Sequence, residues 1–94
     1  MIAVGLLTVD LQIPASRSLK NKRKVVSSIT AKLRQRFNVA VAEVEFQDKW
    51  QRCRLGVSAI SNDGQVVENQ LRKVLDMIEG TGLAVVLDSE FEIL

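Results

Sequence analysis

The sequence predicts an α+β fold of order β-α-β-β-α-β, with two helices on one face of a four-stranded antiparallel sheet. Three observations lead to it. Four runs rich in aliphatic residues, at 1–11, 38–46, 52–60 and 83–94, have the patterning of strands. Two stretches between them repeat apolar residues at helical spacing. Finally, 94 residues with 47% hydrophobic content and a single proline suit one packed domain, 1–94, with room for one core.

The first run, MIAVGLLTVDL, is aliphatic on both alternating sets, the pattern of a central strand buried on both faces. In the loop QIPASRS, Pro14 blocks continuation of the strand and Ser18 is placed to cap a helix from about Leu19 to Phe37. Leu19, Val26, Ile29, Leu33 and Phe37 form its apolar stripe, while Lys20, Arg23, Lys24, Lys32 and Arg34 fan across the opposite side. Lys22 stands near the apolar edge, where its stem can snorkel outward.

NVAVAEVEF and RCRLGVSAI alternate with period two around QDKWQ and predict a hairpin. With Asp48-Lys49 as the turn, Glu45 stands opposite Arg52 and Glu43 opposite Arg54, an ionic face. The same register sets Ala42 opposite Leu55 and Val44 opposite Cys53, an apolar one. SNDG then supplies caps for a second helix, about Gln65 to Glu79, with Val67, Leu71, Val74 and Ile78 inward, and GTG ends it. The last run alternates Asp88, Glu90 and Glu92 with Ser89, Phe91 and Ile93, giving a solvated acidic strand edge that discourages aggregation. Two right-handed crossovers in this order define the ferredoxin-like split βαβ plan.

The net charge of +2 conceals a block asymmetry. Between Asp10 and Glu43 there is no acid, yet Arg17, Lys20, Lys22, Arg23, Lys24, Lys32, Arg34 and Arg36 fall there, leaving five of the thirteen cations to face all eleven acids elsewhere. Such polarity points to an anionic partner. A single cysteine, no signal-peptide pattern and no apolar stretch approaching 18 residues predict a cytoplasmic protein without a membrane association.

With no histidine, no tyrosine and one cysteine, the chain lacks zinc-site spacing, a Ser-His-Asp set and a histidine base, so a non-enzymatic role without a cofactor is expected. Cys53 reads as a buried structural thiol. Trp50, beside the hairpin turn, has two readings: a ring folded over the sheet end, or an exposed partner anchor. An acylphosphatase-like phosphate site is a minor alternative, because QIPASRSLK carries Arg17 but not the glycine-rich loop of those enzymes. RNA-recognition motifs stack bases on their two central strands, and IAVGLLTV and RCRLGVSAI contain no aromatic residue.

SLKNKRKVV, followed by RFNVAVAEVE, WQRCRLGVSAIS and a helix with VLDMIE, resembles the YlxP-like family, small bacterial proteins of unknown function, across essentially the whole chain. One departure is Asn21, where that family implies an acid; its absence removes a capping-box carboxylate. The resemblance implies a ferredoxin-like fold. Because such genes lie among translation genes, near initiation factor two and ribosome-binding factor A, it also implies an association with RNA or the ribosome. It carries over no catalytic residue.

The expected function is therefore binding of structured RNA or the ribosome through the first helix and its leading loop, by Arg17, Ser18, Lys20, Lys22, Arg23, Lys24, Lys32, Arg34 and Arg36. The alternative is a protein-interaction or homodimerisation module, using either basic-helix and acidic-strand complementarity or the open sheet face.

Overall fold

The computed structural model describes residues 1–94. Its elements are β1 (Ala3–Gln12), α1 (Leu19–Arg36), β2 (Ala40–Glu45), β3 (Arg52–Ser61), α2 (Gly64–Gly80) and β4 (Val85–Ile93). The sheet order is β2-β3-β1-β4 and every neighbouring pair is antiparallel. This is the ferredoxin-like arrangement, with β1 and β3 central.

Both helices start on side-chain caps. Ser18 Oγ accepts from Asn21 N at 3.0 Å, and Asn21 Oδ1 in turn accepts from Arg17 N at 3.3 Å. Asn21 thus supplies an amide oxygen where a capping-box carboxylate would act, reaching one residue further back. In α2, Asp63 Oδ1 accepts from Gln65 N at 2.9 Å, and the turn after the helix uses Gly82 at a φ of +70°.

The core lies between the helices and one face of the sheet. Leu7, Val9 and Leu11 of β1 and Leu55 and Val57 of β3 meet Ile29 and Leu33 of α1 and Val67, Leu71, Val74 and Ile78 of α2, all 0 or 1% exposed. Each such side chain contributes about 1.5–3 kcal/mol. The expectation that β1 is buried on both faces is corrected: its odd-numbered residues are buried and its even-numbered ones half-exposed. Nothing covers the second face of the sheet, so Val4, Leu6 and Thr8 use their aliphatic parts against neighbouring strands only.

The hairpin register also differs from expectation. Val41 pairs with Val57, Ala42 with Gly56 and Glu43 with Leu55; the register then shifts at Val44, and Glu45 pairs with Arg54. A two-residue turn at Asp48-Lys49 would favour positive φ at both residues, which Asp48 tolerates but Lys49 does not suit. The chain instead closes with the loop 46–51, where Phe46 takes φ 66° and its carbonyl accepts from Lys49 N at 3.0 Å. A one-residue slip exchanges the faces of a strand. It puts Val41 in the core and carries Glu43 to the helix side, away from the predicted ionic ladder.

Gly5 sets how closely α2 approaches the sheet. A Cβ there would lie 2.4 Å from Val67 Cγ1 and 2.9 Å from Leu71 Cδ1. Leu71 can swing its methyl away, but the β-branched Val67 cannot without moving the helix. Gly5→Ala should therefore destabilise the fold by about 1–3 kcal/mol through overpacking, read as a lower urea midpoint at unchanged slope. An unchanged midpoint would show that α2 is free to shift.

Candidate functional site

The helix α1 and the loop before it carry seven exposed cations. Arg17, Lys20, Arg23, Lys24, Lys32, Arg34 and Arg36 are all exposed. None is within 4.0 Å of a carboxylate, since the ion pairs of the molecule are Lys22–Glu43, Arg54–Asp10, Arg54–Glu45 and Arg72–Glu68. Lys20, Arg23 and Lys24 share a shallow, open depression with Ser27, Ser28 and Ala31, so small side chains lie at its floor. From Lys20 to Arg34 the cations span about 21 Å along the axis.

The two arginines near the C-terminus of α1 diverge. Arg34 Nη2 donates to Val41 O at 2.8 Å and so covers a carbonyl of the edge strand β2. Arg36 lies on the other flank, in a groove with Phe37, Lys73, Asp76 and Met77 where the ends of the two helices approach. Ser18 is spent as the N-cap, its oxygen turned to Asn21 N.

Lys22 is corrected from surface cation to core residue. It is 0% exposed, with Nζ 2.6 Å from Glu43 Oε2 and 2.5 Å from Phe46 O. The Glu43 contact is an ion pair without an aligned hydrogen bond, and Glu43 keeps 20% of its side chain exposed. Counting along α1, Lys22 fills the place between Leu19 and Val26 in the apolar stripe. That placement is visible in the sequence, but its partner is not, because the assumed register turned Glu43 outward.

Both ends of the loop 46–51 are thereby tied to the segment that opens α1. At one end, Lys22 holds the Phe46 carbonyl. At the other, Gln51 O accepts from Ile13 N at 2.9 Å, and Gln51 Nε2 donates to Pro14 O at 3.2 Å and Ser16 O at 3.1 Å. Between them Trp50 is 54% exposed, which excludes the reading in which its ring is buried over the sheet end.

On the open sheet face Arg54 donates to both oxygens of Asp10, at 2.5 and 3.0 Å, and also pairs with Glu45. The Arg54 hydrogen bond, reinforced by the charges of Arg54 and Arg52 against some desolvation, holds the Asp10 carboxyl below its ordinary range. Asp88, Glu90 and Glu92 line the exposed side of the edge strand β4, and no group of three or more acids or thiols converges as a metal site would require. Phe46 lies under the guanidinium groups of Arg52 and Arg54, 4.8 and 5.1 Å from the ring centre.

A family model described as "Protein of unknown function (DUF503)" matches residues 4–91. The chain belongs to the DUF503 family. This DUF503 chain is 34% identical over 76 residues to the "Uncharacterized protein YlxP" of Bacillus subtilis (strain 168), covering 81% of the chain and 83% of that protein. The relationship bears out the resemblance read from SLKNKRKVV and the segments after it. Among solved structures the DUF503 chain is similar to "De novo designed protein Foldit4", with a TM-score of 0.58 at 14% identity, covering 100% of this chain and 97% of that one. At that identity the likeness is one of fold alone.

Two expectations follow from the interior. Lys22→Met leaves Glu43 partly buried without its cation, which should cost about 3 kcal/mol in denaturant unfolding at pH 7. Adding Glu43→Leu should restore most of that loss; equal loss in the single and double variants would place the effect in the Phe46 tie alone. Cys53, 0% exposed, has its thiol pushed up to about 12, by burial first and then by the negative charge of Glu43. Its contribution to stability is complete below the unfolded value of 9.0 and is lost as pH rises from there towards about 12. The stability difference between the natural chain and Cys53→Ala should therefore be flat from pH 6 to 8 and fall towards pH 11, with the native thiol inert to alkylation at pH 8. A difference that stays constant to pH 11 would refute the burial effect.

Proposed function

We propose that this DUF503 chain is a non-catalytic accessory protein that binds structured RNA, in the ribosome or its precursors, through α1 and the loop leading into it. The observation that carries the reading is the row of exposed cations from Arg17 to Arg36 without a carboxylate partner. A solvated helix face ordinarily mixes signs, and this one does not. Phosphate is the partner whose chemistry matches: it accepts from lysine and arginine irrespective of sequence and pairs with many cations at once.

Three features support the same side of the molecule. The small floor of Ser27, Ser28 and Ala31 lets a nucleic-acid backbone approach between longer cations. The first turn of α1 contains no acid, so its backbone N–H groups add to the positive field. The opposite sheet face carries Asp10, Asp88, Glu90 and Glu92 and would repel phosphate. Lys22 takes no part in the contact, since it is enclosed and paired.

Filter binding to ribosomal subunits at two salt concentrations tests the reading. With about five phosphates neutralised, the log-log salt slope should be roughly −3.5 to −4.5, and Lys20→Glu with Arg23→Glu and Lys24→Glu should weaken binding and bring it to about −1.4 to −1.8. Lack of binding at low salt, or a triple variant that binds as the natural chain does, would sink the proposal. Salt-sensitive self-association without nucleic acid would instead favour docking of α1 on the acidic strand β4 of another copy.

A further inference from the structure

We propose that Trp50 is a stacking platform for an unpaired base of the bound RNA, so that the protein reads a single-stranded or looped element beside the phosphates held by α1. The inference rests on the RNA reading above and adds the class of RNA recognised.

The argument begins with which aromatic faces are free. Phe46 is covered by Arg52 and Arg54, Phe91 by Arg72 at 4.9 Å, and Phe37 packs against the core. Trp50, the only tryptophan, is the one aromatic side chain more exposed than buried, at 54%. Bases stack on such rings irrespective of sequence, because every base has a π face.

The second step is rigidity. Trp50 occupies a loop fastened at both ends, by Lys22 to the Phe46 carbonyl and by Gln51 to the carbonyls of Pro14 and Ser16. A ring on a fastened loop is presented in place, and little loop entropy is lost when a base lands on it. The same ties put Gln51 against Ser16, the residue before Arg17 in the segment that opens α1, with Lys49 adjacent to Trp50 in the chain. An exposed ring on a loop tied to the cationic segment that opens α1 suits a nucleotide, whose flat base and charged phosphate lie side by side.

Surroundings decide against a protein partner. The loop neighbours Gln47, Asp48, Lys49 and Gln51 are all polar and exposed, whereas a tryptophan that anchors a protein interface sits among packed side chains that exclude water.

The test uses the full chain and the fluorescence of its single tryptophan. A 12-nucleotide single-stranded oligoadenylate should quench or shift the emission on binding, and an RNA duplex of equal charge should bind with little spectral change. Trp50→Ala should weaken the single strand roughly 5- to 150-fold while leaving duplex affinity and the salt slope unchanged; Trp50→Phe should recover part of the loss. Circular dichroism confirms that the exposed substitution leaves the fold intact. If Trp50→Ala binds the single strand like the natural chain while the α1 charge reversals abolish binding, the stacking site is refuted and the RNA reading stands. If no RNA binds at low salt, both fail.

Discussion

One buried ammonium organises the surface of this protein. Lys22 leaves the cationic face of α1 and turns into the apolar stripe, where it meets Glu43 from β2 and the carbonyl of Phe46 from the loop beyond. A charge taken out of water is tolerated only when its partners are close, and removing either member leaves the other stranded. The pair therefore fixes three things together: the seating of the first turn of α1 over β2, the register that brings Glu43 inward, and the position of the loop that carries Trp50. With the register shifted by one residue, Glu43 would point to the open face and Lys22 would have no partner in the core.

Much of the fold was legible because each element advertised itself locally. Val67, Leu71, Val74 and Ile78 define the buried side of α2 without ambiguity, and all four are fully enclosed. Ser18 and Asp63 cap the helices as their positions suggested. The order of elements then leaves few topologies, and the observed β2-β3-β1-β4 sheet is the one the split βαβ plan requires. The hairpin register was less legible, because Ala40, Val41 and Ala42 are all aliphatic before the alternation with Glu43 and Glu45 begins, so either phase gives a credible face. What selects the true phase is non-local, the burial of Val41 against Val57 and the cation waiting on α1. Lys22 is hard to place for the same reason: a lysine inside a stripe reads as a snorkelling edge residue until the acid that receives it is known.

The fold itself says little about function. A designed protein adopts a similar arrangement at 14% identity, so the plan can be built from packing rules alone. What is particular to this chain is the sorting of charge across it. Acids accompany the sheet: Asp10 and Glu45 clasp Arg54, and Asp88, Glu90 and Glu92 guard the β4 edge. Cations accompany α1, and all but the buried Lys22 lack a carboxylate partner. Packing would be satisfied by either sign at those helix positions, so the segregation is not a demand of the fold.

Placement of the cations strengthens that argument. Positive side chains near a helix N-terminus oppose its macrodipole, each by about 0.3–1 kcal/mol, and Arg17, Lys20 and Arg23 all lie there. Stability alone would favour acids in that turn. The structure offsets the disadvantage locally, through the reciprocal Ser18 and Asn21 contacts and the deep seating of Ile29 and Leu33 further along, without relieving it by counter-charges. A helix start that is capped and left electrostatically unsatisfied retains its attraction for an anion from outside. Since the same segment is fastened to the loop of Trp50, charge and aromatic surface share one preorganised end of the molecule. The sheet end remote from it, where Ile2, Ile60 and Leu94 are exposed, carries no comparable conjunction.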